Sequence, residues 1–443
     1  MRGKNFKTLI AAALALSTVL TSFAGCSKEP AESSKPSVPS EAATSTTAPG
    51  KKTKLSVMMV SENATKIFLD DLKIPEKYNE KDPNTTVDIE LVKGDTLNVL
   101  KIRMQANELP DVIVGQADWI YTLGDMLEPL NDLDCVKNNI YAADLAIDGN
   151  SYAVPYESFY NCTFYRKDIF AEYNIEVPKT WQQFVDAVKL IADKGEYIPL
   201  AVGGKDEWPL YPYGIDSTII EAGNAQILNE MATMEDPFAV GKPAYNAYSK
   251  LKELSDLKAF GEDPLGIGFD DSKTFLGTSK RAVMFPSSQW AVGDVATANG
   301  GTLDNIGVMF IPHRENESDP LYIVSEIGMP FMVTKSENTA VAKDFVNWLF
   351  SDEIYTEYLD KVGLISTLKT VETPYAPIFK DAIDSTTNLV PLAKVNNELY
   401  TDVVASARFN FDQGCAAIMS NKDLDELMAK YNSDWAKAVQ ANK

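Results

Sequence analysis

Two tryptophans stand in loops that follow predicted strands. Trp208 lies in the run 203–209 (GGKDEWP) behind a predicted strand at 197–202, and Trp290 follows a predicted strand at 282–286. Neighbouring glycine and proline make burial of Trp208 in a core harder to arrange. Aromatic rings stack on flat apolar faces, and nearby carboxylates accept hydrogen bonds from hydroxyl groups. Together these residue types favour a site for a sugar, which offers both C–H faces and hydroxyls.

Candidate hydrogen-bonding residues lie at similar places in the chain. Open α/β sheets bind ligands at the carboxyl ends of their strands, so acids just beyond a predicted strand are the best candidates. Four acids fit this description: Glu62, Asp118, Glu157 and Asp206. Arg408 and Phe409 join them from the polar–aromatic run 408–411. Core or edge packing is predicted for Trp119, because Ile120 and Leu123 continue an apolar stretch.

The chain carries little catalytic or metal-binding equipment. Its single histidine, His313, lies in a polar loop and is predicted to be a surface residue, and no HExxH motif, GxSxG motif or phosphate-binding loop is present. After Cys26 the sequence has three cysteines without CxxC spacing, which favours buried free thiols and leaves open a single pair between Cys135 and Cys162. We therefore expect no catalytic residue, no metal and no cofactor.

The net charge and the length of the chain limit which partners it can bind and how many domains it forms. The chain has 443 residues, of which 45% are hydrophobic, and its formal net charge is -22. Nucleic-acid binding needs clustered basic residues, so this acidity excludes that class of partner. A chain of this length exceeds what one core usually supports, which predicts two domains.

The N-terminal residues predict export and anchoring. Residues 1–25 combine a basic start with a short apolar stretch, the pattern of a signal peptide. The segment 23–26 (FAGC) resembles the lipobox of bacterial lipoproteins, which implies that Cys26 is lipidated. Of residues 27–50, 17 of 24 are Ser, Thr, Pro or Ala, so residues 26–52 are predicted to be a disordered tether.

Predicted elements alternate along the rest of the chain. Strands are expected at 55–61, 86–92 and 111–115, with helices between them at 64–80 and 96–107, the first interrupted by Pro75. This order predicts right-handed βαβ units. Further strands are expected at 151–155 and 161–165, and a helix after Thr180 that is capped through Gln183. The pattern as a whole predicts two α/β lobes.

A series of short motifs resembles one protein family. The segments are LPDVIVG (109–115), LEPL (127–130), GNSYAVPY (149–156), FYRKDIF (164–170), VPKTW (177–181), FLG (275–277), AVM (282–284) with Trp290, and the helix 344–351. In this order they resemble the bacterial family 1 extracellular solute-binding proteins, the carbohydrate-uptake branch similar to maltose-binding protein. The places of Asp118 and Trp290 match a carboxylate and an aromatic residue that this family uses against sugar.

The resemblance implies a two-lobed, type II periplasmic-binding-protein fold with a hinge and a ligand cleft between the lobes. Lobe 1 would take residues 54–157 plus 328–370, and lobe 2 residues 158–327 plus 371–443. Glu157 would then lie at one crossing between the lobes, and Glu326, near a later crossing, becomes a fifth candidate acid for the ligand site. A monomeric, lipid-anchored protein outside the membrane of a Gram-positive bacterium would close on a sugar or oligosaccharide and deliver it to the permease subunits of an ABC transporter.

Three alternatives remain open from the sequence. The same fold could serve a ligand-sensing module, or it could bind an amino acid, peptide or polyamine. A lipid-anchored glycoside hydrolase would need two carboxylates about 5–10 Å apart, and the sequence alone does not give that distance.

Overall fold

A computed structural model describes residues 52–443, and its strands form one large mixed sheet and one small hairpin. The signal peptide, Cys26 and most of the predicted tether lie outside the described residues. The strands are β1 (Thr53–Met59), β2 (Thr85–Leu91), β3 (Val112–Val114), β4 (Ala146–Ile147), β5 (Asn150–Ser151), β6 (Val154–Arg166), β7 (Ile198–Leu200), β8 (Ala282–Ser288), β9 (Ile306–Met309), β10 (Leu321–Val333) and β11 (Leu389–Ala393).

Helices cover both faces of the sheet. They are α1 (Glu62–Lys66), α2 (Ile74–Lys81), α3 (Thr96–Ala106), α4 (Trp119–Leu123), α5 (Asp134–Asn138), α6 (Lys167–Glu172), α7 (Trp181–Lys194), α8 (Ile215–Ala222), α9 (Ile227–Met231), α10 (Pro243–Asp256), α11 (Phe269–Leu276), α12 (Val292–Ala298), α13 (Thr339–Leu349), α14 (Asp352–Val362), α15 (Pro377–Asp384), α16 (Glu398–Ala407), α17 (Phe411–Met419) and α18 (Leu424–Ala441). Within residues 52–443 no helix combines the length and apolar character that crossing a membrane requires.

The first strands are joined as the sequence predicted. β1 pairs in parallel with β2 and with β3, and helices connect them. A π-helical turn at Ile67–Asp71 separates α1 from α2, and Pro75 lies in the first turn of α2, where a missing N–H costs nothing. The predicted interruption by Pro75 and the βαβ arrangement are therefore confirmed.

Two strands of 13 residues run through the middle of the sheet. β6 and β10 pair antiparallel, with Ser325 opposite Tyr160 and Phe331 opposite Val154. Two separate strands at 151–155 and 161–165 were predicted around residues 156–158, and this prediction is wrong. The polar residues Glu157 and Ser158 pair with β10 like their apolar neighbours, so the strand continues through them.

The apolar side chains gather into cores on either side of this middle. The first core packs β1, β3 and the beginning of β6 against α2, α13 and α14. The second packs β7 and β8 against α7, α8, α10, α17 and α18. Two smaller groups extend these cores, one around β8, β9 and α15 and one around α4 and β3.

Both long strands contribute side chains to cores at each end. Tyr156 of β6 lies in the first core, whereas Phe164 lies in the group around β8 and β9. Phe331 of β10 belongs to the first core and Val324 to the second. β6 and β10 therefore connect the two halves of the molecule.

Helix α7 shows how local sequence sets the boundaries. Its apolar face (Phe184, Val188, Ile191) is buried in the second core. Thr180 Oγ1 accepts a hydrogen bond from the Gln183 N–H, and Gly195 ends the helix with a φ of 67°. Gln183 Oε1 accepts from the N–H of Lys179 rather than from that of Thr180, so only half of the predicted capping box forms.

The three cysteines of the described chain are free and buried, as predicted: Cys135, Cys162 and Cys415. Burial raises the pKa of each thiol, to about 12 for Cys135. The thiolate is the reactive form, so these side chains behave as small apolar residues.

Candidate functional site

Three aromatic rings form one exposed group, which we call the aromatic platform: Trp208, Phe269 and Trp290. The Trp208 ring centroid lies 4.7 Å from that of Phe269 and 6.2 Å from that of Trp290. Trp208 remains 43% exposed, and the other two are half-buried. The structure thus brings together the two tryptophans singled out from the sequence and adds Phe269, which the sequence analysis missed.

The loop that carries Trp208 is held by close backbone contacts. A Cβ on Gly203 would lie 2.8 Å from the Phe269 backbone, so the chain passes there only as glycine. Asp206 Oδ2 accepts a hydrogen bond of 2.7 Å from the Phe269 N–H and fixes the loop to the start of α11. Glu207 has a φ of 59°, a strained value for a residue with a side chain, directly before Trp208. Asp206 therefore positions the platform.

A chain of hydrogen bonds runs from β11 to the base of the platform. Lys394 Nζ lies 3.0 Å from Glu326 Oε2. Asn161 Nδ2 donates to Glu326 Oε1 at 2.9 Å and to Asp216 Oδ2 at 2.6 Å. Ser288 Oγ donates to Asn161 Oδ1, and Ser288 lies two residues before Trp290. We call these five residues the polar chain.

Four carboxylates interact electrostatically with the ammonium group of Lys394. Glu326 is its ion-pair partner, and the charge of the ammonium also acts on Asp216, Asp118 and Asp412. The acids come from separate elements: Asp118 precedes α4, Asp216 lies on α8, Glu326 on β10 and Asp412 on α17. We call these four the carboxylate cluster. Within residues 52–443 no group of histidine, cysteine and acidic residues has the arrangement of a metal site.

Three buried oxygen atoms, two in the carboxylate cluster and one two residues after Lys394, accept no hydrogen bond from the described chain. They are Asp216 Oδ1, Asp412 Oδ1 and Asn396 Oδ1. Buried polar atoms are normally paired, because each unpaired one costs about 1–3 kcal/mol. In their ionised form the two carboxylates only accept hydrogen bonds, as the Asn396 amide oxygen does, so a partner that satisfies these atoms must bring hydrogen-bond donors.

Burial shifts the pKa values of these acids upward. Burial raises the pKa of Asp412 to about 7, with Lys394 opposing the shift. The pKa of Asp216 is also raised by burial, and again Lys394 acts against the change. Asp118 shows the same direction. The lysine therefore keeps these three aspartates closer to their ionised form than burial alone would allow.

Two further predicted ligand acids lie elsewhere. Glu62 is exposed at the start of α1 and pairs with Lys93, with 2.6 Å between Lys93 Nζ and Glu62 Oε2. Glu157 is only 8% exposed, in the middle of β6, and accepts a hydrogen bond from the Tyr358 hydroxyl. The structure does not bring either side chain into the carboxylate cluster.

The predicted pair Arg408 and Phe409 also falls outside the cluster. Arg408 is exposed at the C-terminal end of α16, with a φ of 50°. Phe409 lies in the second core, where its ring centroid is 4.8 Å from those of Phe238 and Phe411. The turn at Arg408 directs the next residue inward, which explains why this aromatic residue is a core residue.

The prediction of a surface histidine is wrong. The His313 side chain is only 7% exposed, its Nδ1 lies 2.8 Å from Glu221 Oε1, and its ring packs against Trp181. Burial lowers the pKa of His313, with Glu221 opposing the shift. Trp119 is buried in the group around α4, as the sequence predicted.

The comparison with protein families identifies the family of this chain. Residues 64–356 match the family described as "Bacterial extracellular solute-binding protein". The chain belongs to this family.

Relatives of this solute-binding protein are named for sugars. It is 24% identical over 326 residues to the multiple sugar-binding protein of Streptococcus mutans, covering 70% of this chain and 75% of the relative. It is 23% identical over 325 residues to the melibiose/raffinose/stachyose-binding protein of Bacillus subtilis, covering 68% and 71%.

Solved structures agree on the fold. A binding protein of an ABC transporter from Bifidobacterium animalis subsp. lactis in complex with mannobiose gives a TM-score of 0.71 at 19% identity, covering 89% of this chain and 96% of that one. Apo RafE from Streptococcus pneumoniae gives 0.69 at 20% identity, covering 88% and 99%. The predicted α/β, two-lobed solute-binding-protein fold is confirmed.

The sequence analysis of this solute-binding protein missed Lys394, Asp216, Asn161 and Asp412. One signal was available for the lysine, which directly follows a short apolar run at 389–393 (LVPLA). Another was available for Asp216, the one acid among the first five residues (IDSTI) of α8, where its neighbours are apolar or hydroxylated. Proteins retain a charge inside such a run only with a partner.

Proposed function

We propose that this solute-binding protein captures a sugar or oligosaccharide between its lobes. One observation carries the proposal: an exposed aromatic platform adjoins buried acceptor oxygens that lack donors. The platform supplies a surface for C–H faces, and Asp216, Asp412 and Asn396 supply acceptors for hydroxyls. The names of the relatives in Streptococcus mutans and Bacillus subtilis support the same ligand class.

Capture of a sugar in this way needs binding and no bond cleavage. Ligand contacts shared between lobes exist fully only when the lobes are closed, so a ligand shifts the population towards the closed form. We propose the lobe boundaries as 54–157 plus 328–370 and 158–327 plus 371–443. Leu368 in the first core and Phe379 in the group around β9 support the division near residue 370.

Delivery and location complete the proposal. The closed form would be recognised by the permease subunits of an ABC transporter, and the protein would act as a monomer without enzymatic activity. Signal-peptide cleavage before Cys26 and lipidation of that cysteine would tie the protein to the outer face of a Gram-positive cell membrane. The lipobox-like segment 23–26 supports the anchor.

A stability screen tests the ligand class. The protein is titrated with neutral mono- and oligosaccharides, amino acids and short peptides, and its melting temperature is followed by differential scanning fluorimetry. A sugar at ten times its dissociation constant is expected to stabilise the folded state by about 1.4 kcal/mol, because it binds the folded chain alone. Stabilisation by an amino acid or peptide, with none by any saccharide, contradicts the proposal.

A chromatographic assay of the same samples tests the absence of catalysis. The stabilising sugar is expected to be recovered intact after prolonged incubation. Turnover would show that the protein is a glycoside hydrolase.

A further inference from the structure

Lys394 occupies a place where several elements meet. Ala393, the last residue of β11, pairs with Ser325 of β10, and the Lys394 N–H donates to the Ser325 carbonyl at 2.9 Å. This backbone bond fixes the residue beside Glu326. Only 18% of the lysine side chain is exposed, so its ammonium group depends on protein partners.

The segment after Lys394 contacts the elements around α4. The Tyr121 hydroxyl on α4 donates to the Asn396 carbonyl at 3.0 Å, and Val395 packs against the apolar group around α4 and β3. On the other side, Asn229 Nδ2 donates to the Val395 carbonyl at 3.0 Å. The segment therefore lies between α4, on the side of the first core, and α9, on the side of the second.

We infer that Lys394 is a positioning residue of the sugar site, whose ammonium group holds the carboxylates from both sides of the cleft in the arrangement that accepts ligand hydroxyls. The inference rests on the proposed function. Directly, the lysine holds Glu326, and through Asn161 it fixes Asp216. Asp118 on one side and Asp412 on the other complete the set.

The charges around Lys394 predict in which direction its loss changes the pH dependence of sugar affinity. The groups facing the lysine are Glu326, Asp216, Asp412 and Asp118, and Glu207 faces Asp412 from the platform loop. An ionised carboxylate accepts a hydroxyl hydrogen bond more strongly than a neutral one. Loss of the ammonium raises the pKa of Asp216 and Asp412, so these acids stay neutral up to a higher pH.

The test measures sugar affinity against pH in Lys394→Met by isothermal titration calorimetry. Sugar affinity is expected to be roughly tenfold lower than in wild type at pH 7. Affinity should increase with pH as the acids ionise, and the midpoint of that increase is expected to lie about one pH unit higher in the variant. Lys394→Arg retains the charge and is expected to keep the wild-type pH profile. An unchanged profile in Lys394→Met, or an arginine variant as defective as the methionine variant, overturns the inference.

Lys250 provides a matched control. Its side chain is 17% exposed, and its Nζ lies 2.7 Å from Glu221 Oε1, outside the site. Lys250→Met is expected to lower the melting temperature about as much as Lys394→Met while leaving the sugar affinity and its pH profile unchanged. An equal loss of affinity in both variants would show that the effect comes from stability and would overturn the inference.

A second measurement is independent of the ligand. Carbon-13 NMR titration of aspartate-labelled, sugar-free protein is expected to show that the carboxyl groups which titrate near neutral pH have higher pKa values in Lys394→Met than in wild type. If the carboxyl pKa values are the same in wild type and Lys394→Met, the inference is overturned even where sugar binds. If the pKa values differ but no saccharide binds, the proposed function alone is refuted. If Lys394→Met does not fold, Lys394→Gln removes the same charge and retains a polar end group.

Discussion

Replacement of Trp208 by alanine is expected to weaken sugar binding by roughly 30- to 150-fold, or about 2–3 kcal/mol. Trp208 is 43% exposed, so a large part of its apolar surface is available to a sugar face. Truncation therefore removes contacts that form mainly on binding. The dissociation constant of the stabilising sugar, measured by calorimetry for wild type and variant, gives the effect directly.

The melting temperature without ligand separates recognition from folding. It is expected to change little in Trp208→Ala, whereas Trp208→Phe keeps part of the stacking surface and is expected to bind with intermediate affinity. Trp348 is a suitable control because it packs against Tyr78 in the first core, away from the platform. Trp348→Ala is expected to lower the melting temperature and preserve the affinity. A large loss of apo stability in Trp208→Ala would make this tryptophan a core residue instead.

Replacement of Glu157 by glutamine is expected to stabilise the protein by up to about 3 kcal/mol at pH 8. Burial raises the pKa of Glu157 to about 7 from an ordinary value of 4.5, opposed by the hydrogen bond from Tyr358. Each unit of difference corresponds to about 1.4 kcal/mol. Glutamine remains neutral at every pH and has a side-chain oxygen that can accept the same hydrogen bond.

The sign of the pH dependence follows from the raised pKa. The folded state prefers the neutral acid, so the contribution of Glu157 to stability is complete below about pH 4.5 and is lost as the pH rises through about 7. Wild type and Glu157→Gln should accordingly differ little at pH 4.5, and the difference should be complete above pH 7. Denaturant unfolding at several pH values measures it.

A control variant isolates burial as the cause. Glu62→Gln removes an exposed carboxylate from the surface of α1 and is expected to leave the unfolding free energy nearly unchanged at each pH. A Glu157→Gln variant that is less stable than wild type at pH 8 would show that the carboxylate is held in its charged form.

The spacing of apolar residues was sufficient to predict the helices and strands in which that spacing is regular. The βαβ start and helix α7 were predicted within a few residues, because each has a buried face with a clear spacing. The continuous strand β6 was not predicted. Its middle carries Glu157 and Ser158, and only the pairing with β10 shows why these polar residues stay in a strand.

The two tryptophans of the platform could be predicted, but Phe269 and most of the polar half of the site could not. Trp208 and Trp290 lie close to strand ends in the sequence. Lys394 and Asp412 come together with Glu326 only through contacts between segments that are distant in sequence. The predictions for Phe409 and His313 were wrong for a related reason. Each residue lies in a polar run of the sequence, but its side chain is covered by elements that are remote in sequence.

The long strands β6 and β10 have a consequence for how this fold can be divided. Each supplies side chains to both halves, so a fragment cut between the halves would leave both with an incomplete sheet. Neither half is an independent module, and we expect heat to unfold them in one cooperative transition. Chimeras that exchange specificity with a relative should therefore graft the loops 203–211 and 394–397 onto the intact scaffold instead of swapping a lobe.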